Sequence, residues 1–504
     1  MTTGPDFQQY PQQAQHPQYH PHVPQGQHHW PGAPPPPQLP TQLPPSPRRG
    51  TGFWLTMGVV SLVVAIVVGA GVGLVLRGRV GGQSPQRPEA SGKSDPNAVV
   101  VTDEEIAQLV DAHGKALSSG NAEAFTSIFD EDNAALIRDQ RKVFANLRKV
   151  PLSEVTYRVL RREGRAEDSF GRAVKFTQDV AFVHRFAGID LRPVSEWYRW
   201  TLEKASADAP LVVTKVGGAP PPMLSGGSKS VYYPGPWDIW PDITVTRAGT
   251  SVILTRPEDA ALARRVSPAI AAAARTNLEF WKRNGDPAAP VPGGFAVALV
   301  KGQAQLGNLF RKEKAHEAGV SIPMPAWGSL GDDVKIGGTR VVMDTTSPFF
   351  TTSAGIQEVS THELAHSLLA GLDSAQFSLF GKANWIVEGF AEYAANRGRP
   401  ISQNLRYQEG RAYLAGRLGT PFPGRLPDNT FWDYKGMTSV NYLLGHLAMR
   451  YIAQRYGDRK LTTGVVAAYR ADGDESETAL FKVLGVNKAD FERQWASYVR
   501  KQLA

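Results

Sequence analysis

The sequence has no cysteine among its 504 residues. This absence excludes disulfide bonds and metal sites built on thiolates. It does not fix the cellular compartment, because exported proteins are allowed disulfides but do not require them.

Aliphatic residues are almost absent from the first 50 positions, which contain 14 prolines and many glutamines. Such a segment has too little apolar area to offset its chain entropy, so residues 1–52 are predicted to be a disordered tail. Five of the eleven histidines lie there, at His16, His20, His22, His28 and His29. Metal binding by this tract is an open alternative to a solvated tail.

Charged residues are then absent from residues 53–76, a run of 24. At about 1.5 Å per residue, a helix of this length spans a bilayer of roughly 30 Å. The run predicts a single transmembrane helix, followed by a linker at residues 77–100 rich in Gly, Ser and Pro. Gly69 and Gly73, four positions apart, would allow a weak homodimer through this helix.

Lys and Arg do not decide the orientation of this helix, since two arginines precede it and two closely follow it. A short tail before a signal anchor favours a cytoplasmic N-terminus and extracellular C-terminal domains. The predicted location is therefore the cell membrane, with a single pass.

Residues 101–217 change from a helical to a strand-like pattern. Three helices are expected first, and strands at residues 155–162, 173–184, 195–203 and 211–216 follow. Helices followed by a run of strands predict an α+β unit with an antiparallel sheet. The opening helix, the phrase ALSSGNAEAFTSIFDED and the strands resemble the nuclear-transport-factor-two-like (SnoaL-like) cone domains. The resemblance implies a pocket that binds a ligand or serves a small enzyme; no acid–base pair for catalysis is visible here.

Positive charge is concentrated between Arg138 and Lys175, with eleven Lys or Arg against five Asp or Glu. This segment could contact an anionic cell surface, although a solvated face is the simpler interpretation. No nucleic-acid recognition module is visible.

A Pro- and Gly-rich stretch marks a second linker at residues 218–240, before a last domain at residues 241–504. This domain opens with strands at 243–247 and 251–255, a helix at 258–282 and a buried strand, FAVALV. Residues 339–343 are predicted to form an edge strand on which a substrate lies. From residue 354 the chain is expected to be mostly helical.

The stretch THELAHSLLAG, residues 361–371, indicates a metal site more clearly than any other part of the sequence. His362 and His366 are four residues apart, so on a helix both imidazoles leave from one face and can bind one Zn²⁺. Glu363 lies beside them without being a ligand, which suits a general base for water.

Two histidines leave a catalytic zinc one protein ligand short. The stretch NWIVEGFAEYAA supplies Glu388 as the third ligand, and Glu392 lies one turn further along the same helix, in support of the site. Two carboxylates on an otherwise apolar helix are costly unless a cation meets them.

HELAH followed by W-x-x-E-G-F-A-E-Y resembles the gluzincin zinc metallopeptidases, and most closely their peptidase MA-like branch. The resemblance covers residues 240–504 and implies a mostly α-helical, thermolysin-like domain with a small N-terminal sheet. It also implies that Tyr442, in NYLLGHLAMRYIAQRYG, steadies the oxyanion, with Tyr434 as a competing candidate. The G-x-M-E-N phrase of aminopeptidases is missing, so the resemblance does not extend to that activity.

The sequence therefore predicts a membrane-anchored zinc metallopeptidase of overall α+β class that cleaves peptide or protein substrates. The alternative is an anchored ligand- or partner-binding protein whose zinc site is structural or vestigial. The substrate, internal or terminal cleavage, the ligand of the cone domain and the identity of the metal are left open.

Overall fold

The structure is a computed structural model that describes residues 99–163, 173–219, 232–311, 317–328, 335–372, 382–433 and 436–504. Within these ranges the chain forms thirteen α-helices and two β-sheets.

The predicted transmembrane helix is not upheld. Within the described ranges no helix is both long and apolar enough to cross a bilayer. The longest, Ala260–Asn284, carries four arginines and one lysine along its length, which a bilayer core disfavours. The prediction rested on the apolar run at residues 53–76, which lies outside the described residues. The single-pass topology, the cell-membrane location and the extracellular placement are withdrawn with it.

The first folded part consists of three helices followed by a four-stranded antiparallel sheet in the order β1-β2-β3-β4. Its elements are α1 (Asp103–Ser119), α2 (Ala122–Thr126), α3 (Ala134–Leu147), β1 (Leu152–Glu163), β2 (Val174–Phe186), β3 (Val194–Lys204) and β4 (Val212–Gly218). Thr102 begins α1 by accepting a hydrogen bond from Glu105 N at 3.1 Å. Aromatic rings fill the interior against the sheet: His113 stacks on Phe125, and Tyr157 meets His113 edge-on.

The second part begins with a five-stranded mixed sheet in the order β5-β6-β7-β9-β8. Its elements are α4 (Pro236–Ile239), β5 (Thr244–Ala248), β6 (Ser251–Thr255), α5 (Ala260–Asn284), β7 (Phe295–Val300), α6 (Gln303–Asn308), β8 (Gly319–Pro325) and β9 (Ile336–Asp344). Strands β6, β7 and β9 run parallel, while β5 and β8 are antiparallel to their neighbours.

The predicted edge strand is wrong. Residues 339–343 belong to β9, which is fully buried between β7 and β8, and the edge is β8 instead. The two prolines of β8, Pro323 and Pro325, concealed it in the sequence. Asp344 N donates a hydrogen bond to Ala318 O, so the backbone of Ala318 faces β9. In an antiparallel pair, residues that face the partner strand alternate with residues that face away from it. Both prolines therefore fall where a backbone N–H would point away from β9.

The remainder is helical. It contains α7 (Ser353–Leu369), α8 (Asn384–Asn396), α9 (Tyr407–Leu414), α10 (Thr438–Tyr456), α11 (Asp458–Arg470), α12 (Glu475–Leu484) and α13 (Lys488–Leu503). One apolar core lies among these helices, and a second continues from the first sheet into the second, for example from Phe182 to Ile322. A third core packs α5 and α7 on the second sheet. Hydrophobic burial thus joins the first sheet to the second.

Candidate metal centre

Helix α7 holds the HELAH residues rigidly. Thr352 caps its start by accepting a hydrogen bond from Gly355 N at 3.0 Å. Further along, the Asn277 side chain from α5 donates to Thr361 O at 2.9 Å, and Leu364 is completely buried. Because α7 is packed on neighbouring elements, the two histidines project from a fixed helix, and His362 lines the adjacent cleft.

Helix α8 brings the glutamates of the EGFAEY phrase to α7. The helix is buried along nearly its whole length. A side chain added at Gly389 would meet Gly445 O of α10 at 2.7 Å, so α8 and α10 touch backbone to backbone. The glycine after Glu388 is therefore required by helix packing, and it fixes the depth at which Glu388 lies.

Three ligand atoms converge between α7 and α8. The Nε2 atoms of His362 and His366 are 3.2 Å apart, and each lies 3.3 Å from Oε2 of Glu388. For metal–ligand bonds of about 2.0–2.1 Å, the ligands of a tetrahedral zinc are separated by about 3.3–3.4 Å. The observed triangle matches one face of such a tetrahedron.

The donor set also fits a cation chemically. Glu388 Oε2 is buried and has no hydrogen-bond partner of good geometry among the described residues, which is costly for a carboxylate unless a cation meets it. Burial alone would raise the pKa of Glu388, but the two imidazoles outweigh it and hold the pKa far below its usual range. Within the part of the chain that the structure describes, these three residues form a group whose ligand atoms lie close enough together to hold one metal ion.

Glu392 supports His362 from behind. Its Oε1 lies 3.3 Å from His362 Nδ1, the ring nitrogen that faces away from the triangle. Burial acts to lower the pKa of His362, but Glu388 and Glu392 outweigh it and raise the pKa to about 10. A carboxylate on the far nitrogen fixes the orientation and tautomer of a metal-binding imidazole.

Arg406 is a site residue that the sequence did not reveal. Its Nη1 lies 3.0 Å from Glu392 Oε1, and its guanidinium sits 5.0 Å from the centre of the Tyr442 ring. Burial would raise the pKa of Glu392, but Arg406 and His362 lower it to about 2. Arg406 comes just before α9, where no local pattern marks it as part of the site.

Tyr442 lies beside the triangle and Tyr434 falls outside the described residues. The Tyr442 ring is 6.0 Å from the His362 ring and 5.5 Å from Trp432, and the residue is 5% exposed. The structure thus brings the first candidate for the oxyanion donor to the cleft wall.

The cleft in front of α7 holds about 50 Å³, room for a few water molecules. Its wall includes Glu363, Glu358, Val359 and Tyr442. Gly319 of β8 lies against Glu363, and a side chain at that position would meet Glu363 Cγ at 2.8 Å. The predicted general base is therefore placed between the metal ligands and the edge strand.

Comparison with known proteins adds no assignment, since the sequence matches no family model and no curated protein significantly. The function of the chain is therefore inferred from the geometry of the site.

Proposed function

We propose that this chain is a zinc-dependent metallopeptidase of the gluzincin type, which hydrolyses peptide bonds. The observation that carries the proposal is the triangle of His362, His366 and Glu388, whose edges of 3.2–3.3 Å suit one zinc ion. The resemblance of HELAH and WIVEGFAEY to that family supports the same conclusion.

Zinc held by these residues would supply Lewis acidity, which lowers the pKa of water and polarises a carbonyl. Glu363 would take a proton from the attacking water on a carboxylate oxygen. It would then pass that proton to the amine that leaves. Its position in the cleft wall beside the ligands, without being one of them, suits this role.

Two further residues would act on the substrate carbonyl oxygen, which gains negative charge during attack. Tyr442 would donate a hydrogen bond from its hydroxyl, and the positive charge of Arg406 lies in the same cleft. The contact of Arg406 with both Tyr442 and Glu392 would hold the donor and the metal ligand His362 in one arrangement.

The edge strand β8 offers a place for an extended peptide. Gly319 and Ser321 lie four and two positions before Pro323, so the same alternation points their backbone N–H and C=O groups away from β9. A substrate that pairs with them would pass in front of Glu363, since Gly319 touches that side chain.

The test is hydrolysis of a mixed peptide library by the zinc-loaded chain and by Glu363→Gln. The variant is expected to keep zinc and to lose at least about a hundredfold in rate, because it cannot accept the proton. Glu279→Gln, at an exposed position on α5, is the matched control and should behave as the parent chain.

Full activity of Glu363→Gln would contradict this mechanism. Bound zinc with no hydrolysis of any peptide by the parent chain would instead support a structural metal site in a binding protein.

A further inference from the structure

The loop between β2 and β3, residues 187–193, is inserted into the second part of the molecule; we call it the wedge loop. Glycines make room for it at four separate places. A side chain added at three of them would overlap the loop: Gly293 with Gly188 O at 2.3 Å, Gly338 with Asp190 Oδ1 at 2.0 Å, and Gly371 with Leu191 Cδ1 at 2.6 Å. One added at Gly337 would make a tight contact with Arg192 O at 3.1 Å. These four glycines, which we call the glycine seat, therefore leave the space that the wedge loop occupies.

A buried ion pair fixes the centre of the wedge loop. Arg340 of β9 reaches Asp190 with both guanidinium nitrogens, at 2.8 and 3.0 Å, and its Nη2 lies 3.2 Å from His184 Nε2. Both charged side chains are almost fully inaccessible to solvent. Because breaking such a pair would leave a charge buried alone, the contact specifies one position of the loop on the sheet.

Backbone hydrogen bonds extend the wedge loop onto the ends of β8 and β9. Arg192 N donates to Gly337 O at 3.0 Å, and Trp327 N donates to Pro193 O at 2.8 Å. The loop therefore continues the sheet at the point where β8 finishes.

The other side of the wedge loop reaches the end of the HELAH helix. A small cavity is lined jointly by Leu191 of the loop, by Thr339 of β9, by Ser367 near the end of α7 and by Gly371 just after that helix. Ser367 follows the ligand His366, and its Oγ lies 2.8 Å from Ser321 Oγ on β8. One loop thus contacts the corner where α7, β8 and β9 meet.

We propose that the wedge loop is a positioning element of the metal centre. The loop sets the distance between α7 and the edge strand β8. The first α+β part, to which the loop belongs, therefore helps to position the residues of the metal centre. An effect of the loop on metal binding and hydrolysis rests on the proposed metallopeptidase function. An effect of the loop on the position and stability of α7 does not.

The test uses the whole chain loaded with Co²⁺, whose visible absorption reports the geometry of its ligands. Leu191→Ala removes the contact with Gly371 without disturbing a charge, and Asp190→Asn weakens the grip on Arg340. Both variants are expected to alter the Co²⁺ spectrum, to weaken metal affinity about threefold to tenfold, and to speed amide exchange in residues 361–371 at least about fivefold.

The matched control is Asp179→Asn, which weakens a two-bond pair with Arg199 at 2.7 and 2.9 Å between β2 and β3. It should lower the melting temperature without changing the spectrum or the exchange of α7. If Leu191→Ala also leaves the spectrum, metal affinity and α7 exchange unchanged, the proposal is overturned, even where Asp190→Asn fails to fold. If the parent chain binds no metal, the metallopeptidase proposal fails, and the exchange of α7 still decides whether the loop positions this helix.

Discussion

Among single residues, His362 shows how a metal ligand of this site is held in place. His362 is gripped through its far nitrogen by Glu392, which is itself anchored by Arg406. This chain of contacts orients the ring before any metal arrives, which lowers the cost of binding.

Replacement of Glu392 by Gln should therefore weaken zinc binding. The expected loss is about tenfold to a hundredfold, because the neutral amide no longer fixes the imidazole or raises its basicity. Competition with a chelating dye at neutral pH measures it. Glu358→Gln is the control, since Glu358 lines the same cleft but pairs with Arg399 at 2.8 Å. Equal zinc affinities in the two variants would disprove the role given to Glu392.

The sequence predicted four of these residues and missed a fifth. His362 and His366 on α7, and Glu388 and Glu392 on α8, could be found because a spacing of four places each pair on one face of its own helix. The structure brings the two pairs together. Arg406 could not, because its place depends on how the segment before α9 folds back over α8.

At the scale of secondary-structure elements, the decisive contact is the crossing of α8 and α10. Gly389 and Gly445 face each other there, and a side chain added at Gly445 would meet Gly389 Cα at 3.1 Å. The crossing brings Glu392 on α8 and Tyr442 on α10 into the wall of the same cleft.

The substitution Gly389→Ala should destabilise the chain by about 1–3 kcal/mol, because the new methyl group overlaps backbone atoms that cannot move aside. Denaturant unfolding followed by circular dichroism provides the measurement. Gly464→Ala on α11 is the control: its added atom would lie 3.4 Å from Leu480 Cγ, and helix propensity favours alanine. A Gly389→Ala chain as stable as the Gly464→Ala chain would refute the close crossing.

Strand β8 shows why local pattern reading fails at an edge. Two prolines argue against a strand in a sheet interior, and the sequence GVSIPMP was therefore not recognised as one. By contrast, β5, β6 and α5 lie within about two residues of their predicted bounds, although Pro268 lies inside α5.

Across the whole molecule, ionisable groups are buried where the two sheets meet. Glu196 of β3 is completely buried, 3.6 Å from His184, and its oxygens have no hydrogen-bond partner of good geometry among the described residues. Burial, reinforced by the charge of Asp238, raises the pKa of Glu196 well above its ordinary value.

Stability should therefore fall as pH rises from about 4.5 toward the raised pKa of Glu196. In that window the folded chain retains a proton that the unfolded chain has lost, so each pH unit costs up to about 1.4 kcal/mol. Glu196→Gln should make stability depend less on pH, because the variant has no carboxyl group to titrate there. Melting temperatures measured at about pH 5 to 8 test this. The control is Glu203→Gln, from an exposed ion pair with Lys175 on the same sheet. Unchanged pH dependence in Glu196→Gln would exclude this group as its source.

The association of the two parts was beyond the reach of the sequence. Residues 101–217 could be predicted to form helices and then an antiparallel sheet, and the observed strands follow that order. The wedge loop and its glycine seat are separated by more than a hundred residues, and no periodicity connects Asp190 with Arg340.

The most direct test of the central claim is the zinc content of the purified chain, measured by elemental mass spectrometry beside His366→Ala. The chain is offered zinc and then freed of excess before measurement. We expect about one zinc per parent chain and none in His366→Ala. Zinc absent from both, or retained equally by the variant, would mean that His362, His366 and Glu388 do not form a metal site.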